Sequence, residues 1–318
     1  MVFEYFGQIG DCVFLAASAY FLHKSTHRKL SKVAYILSDA FFFSVVYLCI
    51  YLALGKDLNY LEIIRNIFSV TCGKEWFVGC YILLYMSFPY LNNIISGAGK
   101  RGHLSLCLSL FFLYSIISNS TLDGKYLYSR IIGAIEVYFI VAYASMFLRQ
   151  YFSRKSVGIF FCSLVGMVFS LVLANLIAIS VPGFMTLPVN WCSFINPFIM
   201  LCAISLLFIF SSIQVKENRF INCISSLSLL YYIIYENYIF RNDFKPIMWA
   251  KIYDVFSFDY VISLTFGIGI IAFLLLTIIA SIYSFTIRTV IHRVGYFAFS
   301  YVNNIRHHLI DKIISIDE

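Results

Sequence analysis

The chain has 318 residues, 61% of them hydrophobic and 12% charged, with a mean hydropathy of +0.85. Soluble domains carry about a quarter of their residues as Asp, Glu, Lys and Arg, so this composition excludes a soluble globular enzyme and predicts one polytopic domain in a lipid bilayer. The net charge of +7 would suggest a nucleic-acid partner in a soluble protein, but in a membrane chain its distribution between the two faces carries the information, and no nucleic acid is expected.

Nine apolar segments follow in chain order, at 1–22, 33–54, 76–95, 104–119, 131–148, 157–181, 194–211, 220–238 and 260–287. Each approaches the roughly 20 residues that a helix needs to cross the hydrocarbon core. The eighth is diluted by Asn222, Ser225, Ser226, Ser228 and Glu236. No alternating strands and no internal repeat occur, and helices satisfy their own backbone in lipid. The expected fold is therefore an all-α transmembrane bundle over 1–287 with a tail over 288–318. That tail mixes apolar residues with Arg and His and reads as an amphipathic segment at the interface.

One set of alternate connections, including Lys24, Arg28, Lys29, Lys32, Lys100, Arg101, Arg149, Arg154, Lys155, Lys216, Arg219 and the tail, holds 15 basic and 4 acidic residues; the other set holds 8 basic and 7 acidic. Short cytoplasmic loops retain Lys and Arg, which places the C-terminus inside and Met1 outside. The first segment carries Glu4 and Asp11 without a basic leader, so no cleaved signal is expected. An outside start without a signal suggests a helix missing before Met1. The nine cysteines form no C-x-x-C and indicate no zinc or redox site. Cys72, Cys80 and Cys192 fall towards the outer face, where a disulfide is an open alternative.

Charges within apolar segments are costly and mark candidate sites. Asp39 lies seven residues beyond Lys32 and is expected near the headgroups, and Glu136 is expected to pair with Arg130. Asp11 is mid-segment, and Glu236 follows Tyr231, Tyr232 and Tyr235; these two are the better candidates for a polar cavity. The cluster from His23 to Lys32 is either a topology signal or a phosphate-binding patch for a cytoplasmic donor such as acyl-coenzyme A. All six histidines fall in expected loops or the tail, with His23 and His27 nearest an entrance. No nucleophile elbow, phosphate loop or zinc-protease motif is present, and no metal is expected.

Three separated segments carry a more specific pattern. Phe14-Leu15-Ala16-Ala17-Ser18-Ala19-Tyr20-Phe21-Leu22 is the first. The second runs from Trp76 to Asn92 as W-F-x-x-x-Y-x-x-L-Y-x-x-x-P-x-L-N. The third begins at Phe194-Ile195-Asn196-Pro197 and leads through Phe208-Ile209-Phe210 to Ser228–Arg241, SLLYYIIYENYIFR. Their order resembles the acyltransferase-3 family of integral-membrane acyltransferases, in the branch associated with bacterial surface polysaccharides. Leu15 stands where the family repeats phenylalanine, Ala19 where it has glycine, and Tyr235 where it commonly has histidine before Glu-Asn. Asp11 falls one residue before the aspartate of some members, and Arg28, Lys29 and Lys32 only approximate the family's R-x-x-R.

The resemblance implies ten spans with both ends inside, of which this chain lacks the first, and with it the family's catalytic histidine. It implies an O-acyltransferase of the O-acetyltransferase kind in the bacterial cytoplasmic membrane, moving an acyl group from acyl-coenzyme A, with acetyl-coenzyme A as the expected co-substrate and no bound cofactor, to a lipid-linked or surface glycan. Under it Asp11 and Glu236 orient polar groups, Arg28, Lys29 and Lys32 hold donor phosphates, and Trp76, Tyr81, Tyr85 and Tyr235 line the acceptor path. The same aromatics would serve equally as packing and interface residues. A glycan-intermediate transporter, or a truncated inactive family member, remains as an alternative.

Overall fold

The computed structural model describes residues 2–120, 130–181, 183–213, 216–255 and 261–314, except the side chains of 2–6, 253, 255, 261–262 and 303–314. Among the expected loop charges, Asp123, Lys125, Asp259, Asp317 and Glu318 lie outside the described residues. All regular structure among the described residues is helical: α1 (Val2–Leu22), α2 (Leu30–Ala53), α3 (Tyr60–Ile67), α4 (Trp76–Leu110, continued by a π-helical stretch Phe111–Ser118), α5 (Arg130–Phe147), α6 (Arg149–Ser180), α7 (Leu187–Trp191), α8 (Pro197–Ser212), α9 (Arg219–Ser226), α10 (Ser228–Tyr235), a π-helical turn Phe240–Phe244, α11 (Lys245–Val255), α12 (Val261–Thr286) and α13 (Arg288–Ile314).

Among the described residues five helices are long and apolar enough to cross a membrane: Leu30–Ala53, Trp76–Ser118, Arg130–Phe147, Arg149–Ser180 and Ser263–Thr286. Gly7–Leu22, Pro197–Ser212 and Arg219–Tyr235 are apolar but shorter. The chain divides into two compact units, Met1–Arg28 with Cys80–Val215 and Lys29–Gly79 with Lys216–Glu318.

The 43-residue stretch Trp76–Ser118, which belongs to the first unit from Cys80 onward, is far longer than a bilayer requires. Gly99 breaks it, with φ 62° and ψ −178°, a backbone region open essentially to glycine alone. Contacts with α5 show that the chain reverses there. Before the break, Cys80 reaches Arg130 O and Asn92 reaches Tyr138, so the numbers rise together. After it, Lys100 lies over Phe147, His103 bonds to Phe139 and Ser115 bonds to Glu136, so they run in opposition. The two segments expected from hydropathy at 76–95 and 104–119 are thus two antiparallel arms joined at Gly99.

Helices α6 and α8 also run antiparallel, with Phe152 stacked on Phe208 at 4.9 Å and Cys202 against Phe160 O. Gly133 and Gly166 permit close approach: a Cβ on Gly133 would meet the Ile195 side chain, and one on Gly166 the Phe198 ring. Serines within these helices bond to carbonyls one turn back, Ser145 to Val141, Ser163 to Ile159 and Ser205 to Leu201. Their hydroxyls are satisfied locally and mark no aqueous path.

In the second unit α13 crosses α2. His292 stacks on Tyr35 at 4.4 Å, and Gly295 sits where any Cβ would strike Ser38. The tail expected to lie along the interface is therefore a helix whose first turns pack on a neighbouring helix. All nine cysteines are free, which removes the disulfide alternative for Cys72, Cys80 and Cys192.

Gly99→Ala is expected to lower stability by about 1–3 kcal/mol. Gly97→Ala, in open space and at ordinary helical φ, should be neutral or slightly stabilising. Thermal unfolding of the purified protein in detergent compares the two; equal midpoints would remove the conformational role of Gly99.

Candidate functional site

Two polar constellations stand out, one in each unit, and both draw on the segments that carry the sequence pattern. In the first unit the centre is Asn92. Its Nδ2 donates to Leu22 O and Ser25 O, each at 3.0 Å, and its Oδ1 accepts from Tyr138 Oη at 2.6 Å. One side chain thus binds two carbonyls at the end of α1, of which Leu22 O also accepts from Ser25 N, and ties that end to α4 and α5. A neighbouring contact lies one turn before Tyr90: Arg28 Nη1 donates to Met86 O at 2.7 Å, with its guanidinium 5.7 Å from the Tyr90 ring.

His23 sits on the same end. Its Nδ1 donates to Ala19 O at 3.1 Å, which fixes the tautomer and leaves Nε2 as the lone-pair nitrogen. That nitrogen is buried and has no hydrogen-bond partner. Burial is the main cause that holds this imidazole below its ordinary titration range, with Lys24 and His103 adding to it and the backbone bonds to Ala19 and Tyr20 opposing. The result is a neutral ring with an available basic nitrogen. His103, expected in a loop, lies instead within the α4 arm at 1% exposure, and its Nε2 donates to Phe139 O at 2.9 Å. Through the pairings of α1, α4, α5, α6 and α8, this end of the unit also holds Lys24, Lys100, Arg101, Arg149, Arg154 and Lys155.

Deeper in the same unit, Ser115 Oγ lies 2.6 Å from Glu136 Oε1 and 2.7 Å from Ile195 O. The one hydroxyl proton is thus shared between two acceptors, a carboxyl oxygen and a backbone carbonyl. Glu136 is fully buried and bonds to Ser115, not to Arg130 as expected from sequence. Asn196, from the Phe194–Pro197 segment, caps α8 by accepting from Phe198 N. Tyr81 and Tyr85 are 4% and 5% exposed, with Tyr81 edge-on to Phe14 at 5.2 Å; both are packed between helices. Asp11 is half-buried on α1.

In the second unit the centre is Glu75, one residue before α4 and 1% exposed. Its Oε1 accepts from Ser69 Oγ at 2.8 Å, Asn237 Nδ2 at 3.1 Å and Ser44 Oγ at 3.3 Å, while Oε2 is buried without a partner. Asn237 belongs to the Tyr235-Glu236-Asn237 triplet, and Phe77 meets Tyr232 at 4.6 Å. Burial pushes the Glu75 carboxyl up to about 7, against the Ser69, Ser44 and Asn237 bonds. Glu75 is one of the 7 acidic residues of the less basic set of connections, where sequence alone expected a loop charge.

Around it, Glu236 pairs with Lys245 at 2.9 Å and Arg241 at 3.8 Å, which neutralises the charge assigned to a cavity. Lys245 Nζ also lies 4.1 Å from the Tyr235 ring. Trp76 is half-buried and edge-on to Phe77. Lys29 and Lys32 are exposed and belong to this unit, whereas Arg28 belongs to the other. Asp39, expected near headgroups, is 2% exposed and accepts from Tyr283 Oη at 2.8 Å and Arg288 Nη2 at 3.0 Å, with His292 Nε2 at 2.8 Å. Among the described residues no group of His, Cys, Asp and Glu could hold a metal ion. Comparison of the chain with protein-family models, curated proteins and solved structures finds no match.

Because the Glu75 carboxyl is raised from 4.5 to about 7, the folded protein keeps a proton that the unfolded chain loses. Unfolding then becomes easier as pH rises from about 4.5 to 7, by a total of order 3 kcal/mol, and levels off above that. Glu75→Gln is expected to flatten this part of the stability profile. A variant with an undiminished slope would assign it to another group.

Proposed function

We propose that the chain is a membrane O-acyltransferase, of the O-acetyltransferase kind, acting on a lipid-linked or surface glycan in the bacterial cytoplasmic membrane. Acyl-coenzyme A, acetyl-coenzyme A in the simplest case, is the donor, reached from the cytoplasmic side where the basic loops lie. The charge asymmetry supports nine crossings with the C-terminus inside. The resemblance supplies the reaction class, and the convergence of Asn92 with the Leu22 end, and of Asn237 with the Glu75–Phe77 stretch, supports it.

The observation that carries the chemistry is His23 Nε2: a neutral, half-buried imidazole nitrogen with a fixed tautomer and no partner, among cations suited to donor phosphates. In this reading Nε2 takes the acceptor hydroxyl proton as its oxygen adds to the thioester carbonyl. Collapse of the tetrahedral intermediate breaks the C–S bond, and the imidazolium returns the proton to the leaving thiolate. Ala19 O, accepting from Nδ1–H, holds the ring in the required tautomer and stabilises the imidazolium. Arg28, in the same unit as His23, contributes charge for the donor phosphates, a role the resemblance extends to Lys29 and Lys32.

A second reading, a proton-coupled carrier of glycan intermediates, draws on Glu75, a buried carboxyl with an open oxygen and no ion-pair partner. An inactive family member is the remaining alternative.

Mass spectrometry of surface glycans from deletion and complemented strains tests the assignment. Acyl groups are expected to vanish on deletion and to return with this chain. His23→Ala should lower acylation by about 10²–10⁴-fold, and His27→Ala, at an exposed position, should leave it unchanged. Charge reversal of Arg28 and Lys29 should abolish it. Intact acylation with accumulated lipid-linked glycan would favour the carrier, and an unaltered glycan would favour the inactive member.

A further inference from the structure

The first unit carries a groove of about 540 Å³ between the beginning of α6 and the facing part of α8. Arg154 and Lys155 stand at one end, Gly158 and Cys162 follow along α6, and Phe198 and Leu201 form the opposite wall. Helix α6 belongs to a stretch able to cross a membrane, so the groove's apolar walls belong to the hydrocarbon and its basic end to the headgroups of the leaflet that holds the α6 N-terminus. From Lys155 to Ser163 the helix rises about 12 Å, about two fifths of the roughly 30 Å hydrocarbon core.

The two cations are exposed, and neither has an ion-pair partner among the described residues. Lys155 leans on the Tyr151 ring, with Nζ 5.2 Å from its centroid. Nothing occupies the space over Gly158, where an added Cβ meets no atom within 4 Å. An amphiphile with an anionic head and one chain of leaflet length matches this shape, whereas a soluble phosphate would leave the apolar walls unused.

We propose that this groove binds one anionic phospholipid, its phosphate on Arg154 and Lys155 and an acyl chain along Gly158 and Cys162 against Phe198 and Leu201. Its basic end belongs to the same cationic end of the unit as His23, but the groove is lined by none of the residues bonded to Asn92, and the proposal does not depend on the acyl-transfer reading. Arginine and lysine supply charge-assisted hydrogen bonds to phosphate oxygens, and the open glycine leaves the width of a methylene chain.

Native mass spectrometry of the full chain, titrated with palmitoyl-oleoyl phosphatidylglycerol or the phosphatidylcholine of the same chains, tests the site. The anionic lipid is expected to be retained preferentially. The double variant Arg154→Gln/Lys155→Gln should bind it roughly 30-fold more weakly. Gly158→Phe should block the chain and lose the lipid, and Gly158→Ala, which leaves room, should retain it. Glycerol 3-phosphate should not displace it. Equal retention of the two lipids, undiminished binding by the double variant or by Gly158→Phe, or displacement by glycerol 3-phosphate would each overturn the proposal.

Discussion

Polar side chains on apolar helices have no water to return to, so each must find its partner inside the protein or remain unpaired at a cost of several kcal/mol. Asn92 meets that demand completely. Three of its hydrogen-bonding positions are used, by Leu22 O, Ser25 O and Tyr138 Oη, and through them the end of α1, the first arm of α4 and α5 are held in one register. That register sets the surroundings of His23, which follows Leu22 directly. The placement of the basic nitrogen is therefore inherited from an asparagine that takes no part in the proposed chemistry.

Many other polar side chains find partners close at hand. Serines bond back one helical turn, and Asp39 gathers Tyr283, Arg288 and His292. Among the described residues His103 Nδ1, Glu136 Oε2, Tyr231 Oη and Arg288 Nε are buried without a hydrogen-bond partner, and in the two constellations so are His23 Nε2 and Glu75 Oε2. Unpaired buried groups cost stability unless a substrate or a proton occupies them during function. The two differ in kind. His23 is a neutral base beside cations, suited to proton transfer in acyl exchange, whereas Glu75 is a carboxyl held by three donors on one oxygen, suited to keeping and releasing a proton.

Much of the helix content was legible because apolar runs of 16 or more residues have few alternatives in lipid. The connection between the segments at 76–95 and 104–119 was legible too, since Lys100 and Arg101 form a short basic break there, while the glycine at which the backbone turns was not. What hydropathy could not show was pairing across long separations. Asp39 looked like a headgroup residue because its partners Arg288 and His292 are about 250 positions away. Glu75 looked like a loop charge because it sits one residue outside an apolar run, and only the fold brings Ser44 and Asn237 to it. The motif asparagines were visible as letters in a pattern, without any indication of what they bond.

The central claim is that Asn92 acts as a clasp among α1, α4 and α5 and so fixes the His23 environment. A double-mutant cycle of Asn92→Leu and Tyr138→Phe, read by thermal unfolding and by the acidity of His23 in nuclear magnetic resonance, tests it directly. The account predicts a coupling of about 1 kcal/mol and a His23 titration that moves towards its ordinary range when Asn92 is lost. Additive effects on stability with an unmoved His23 titration would contradict it.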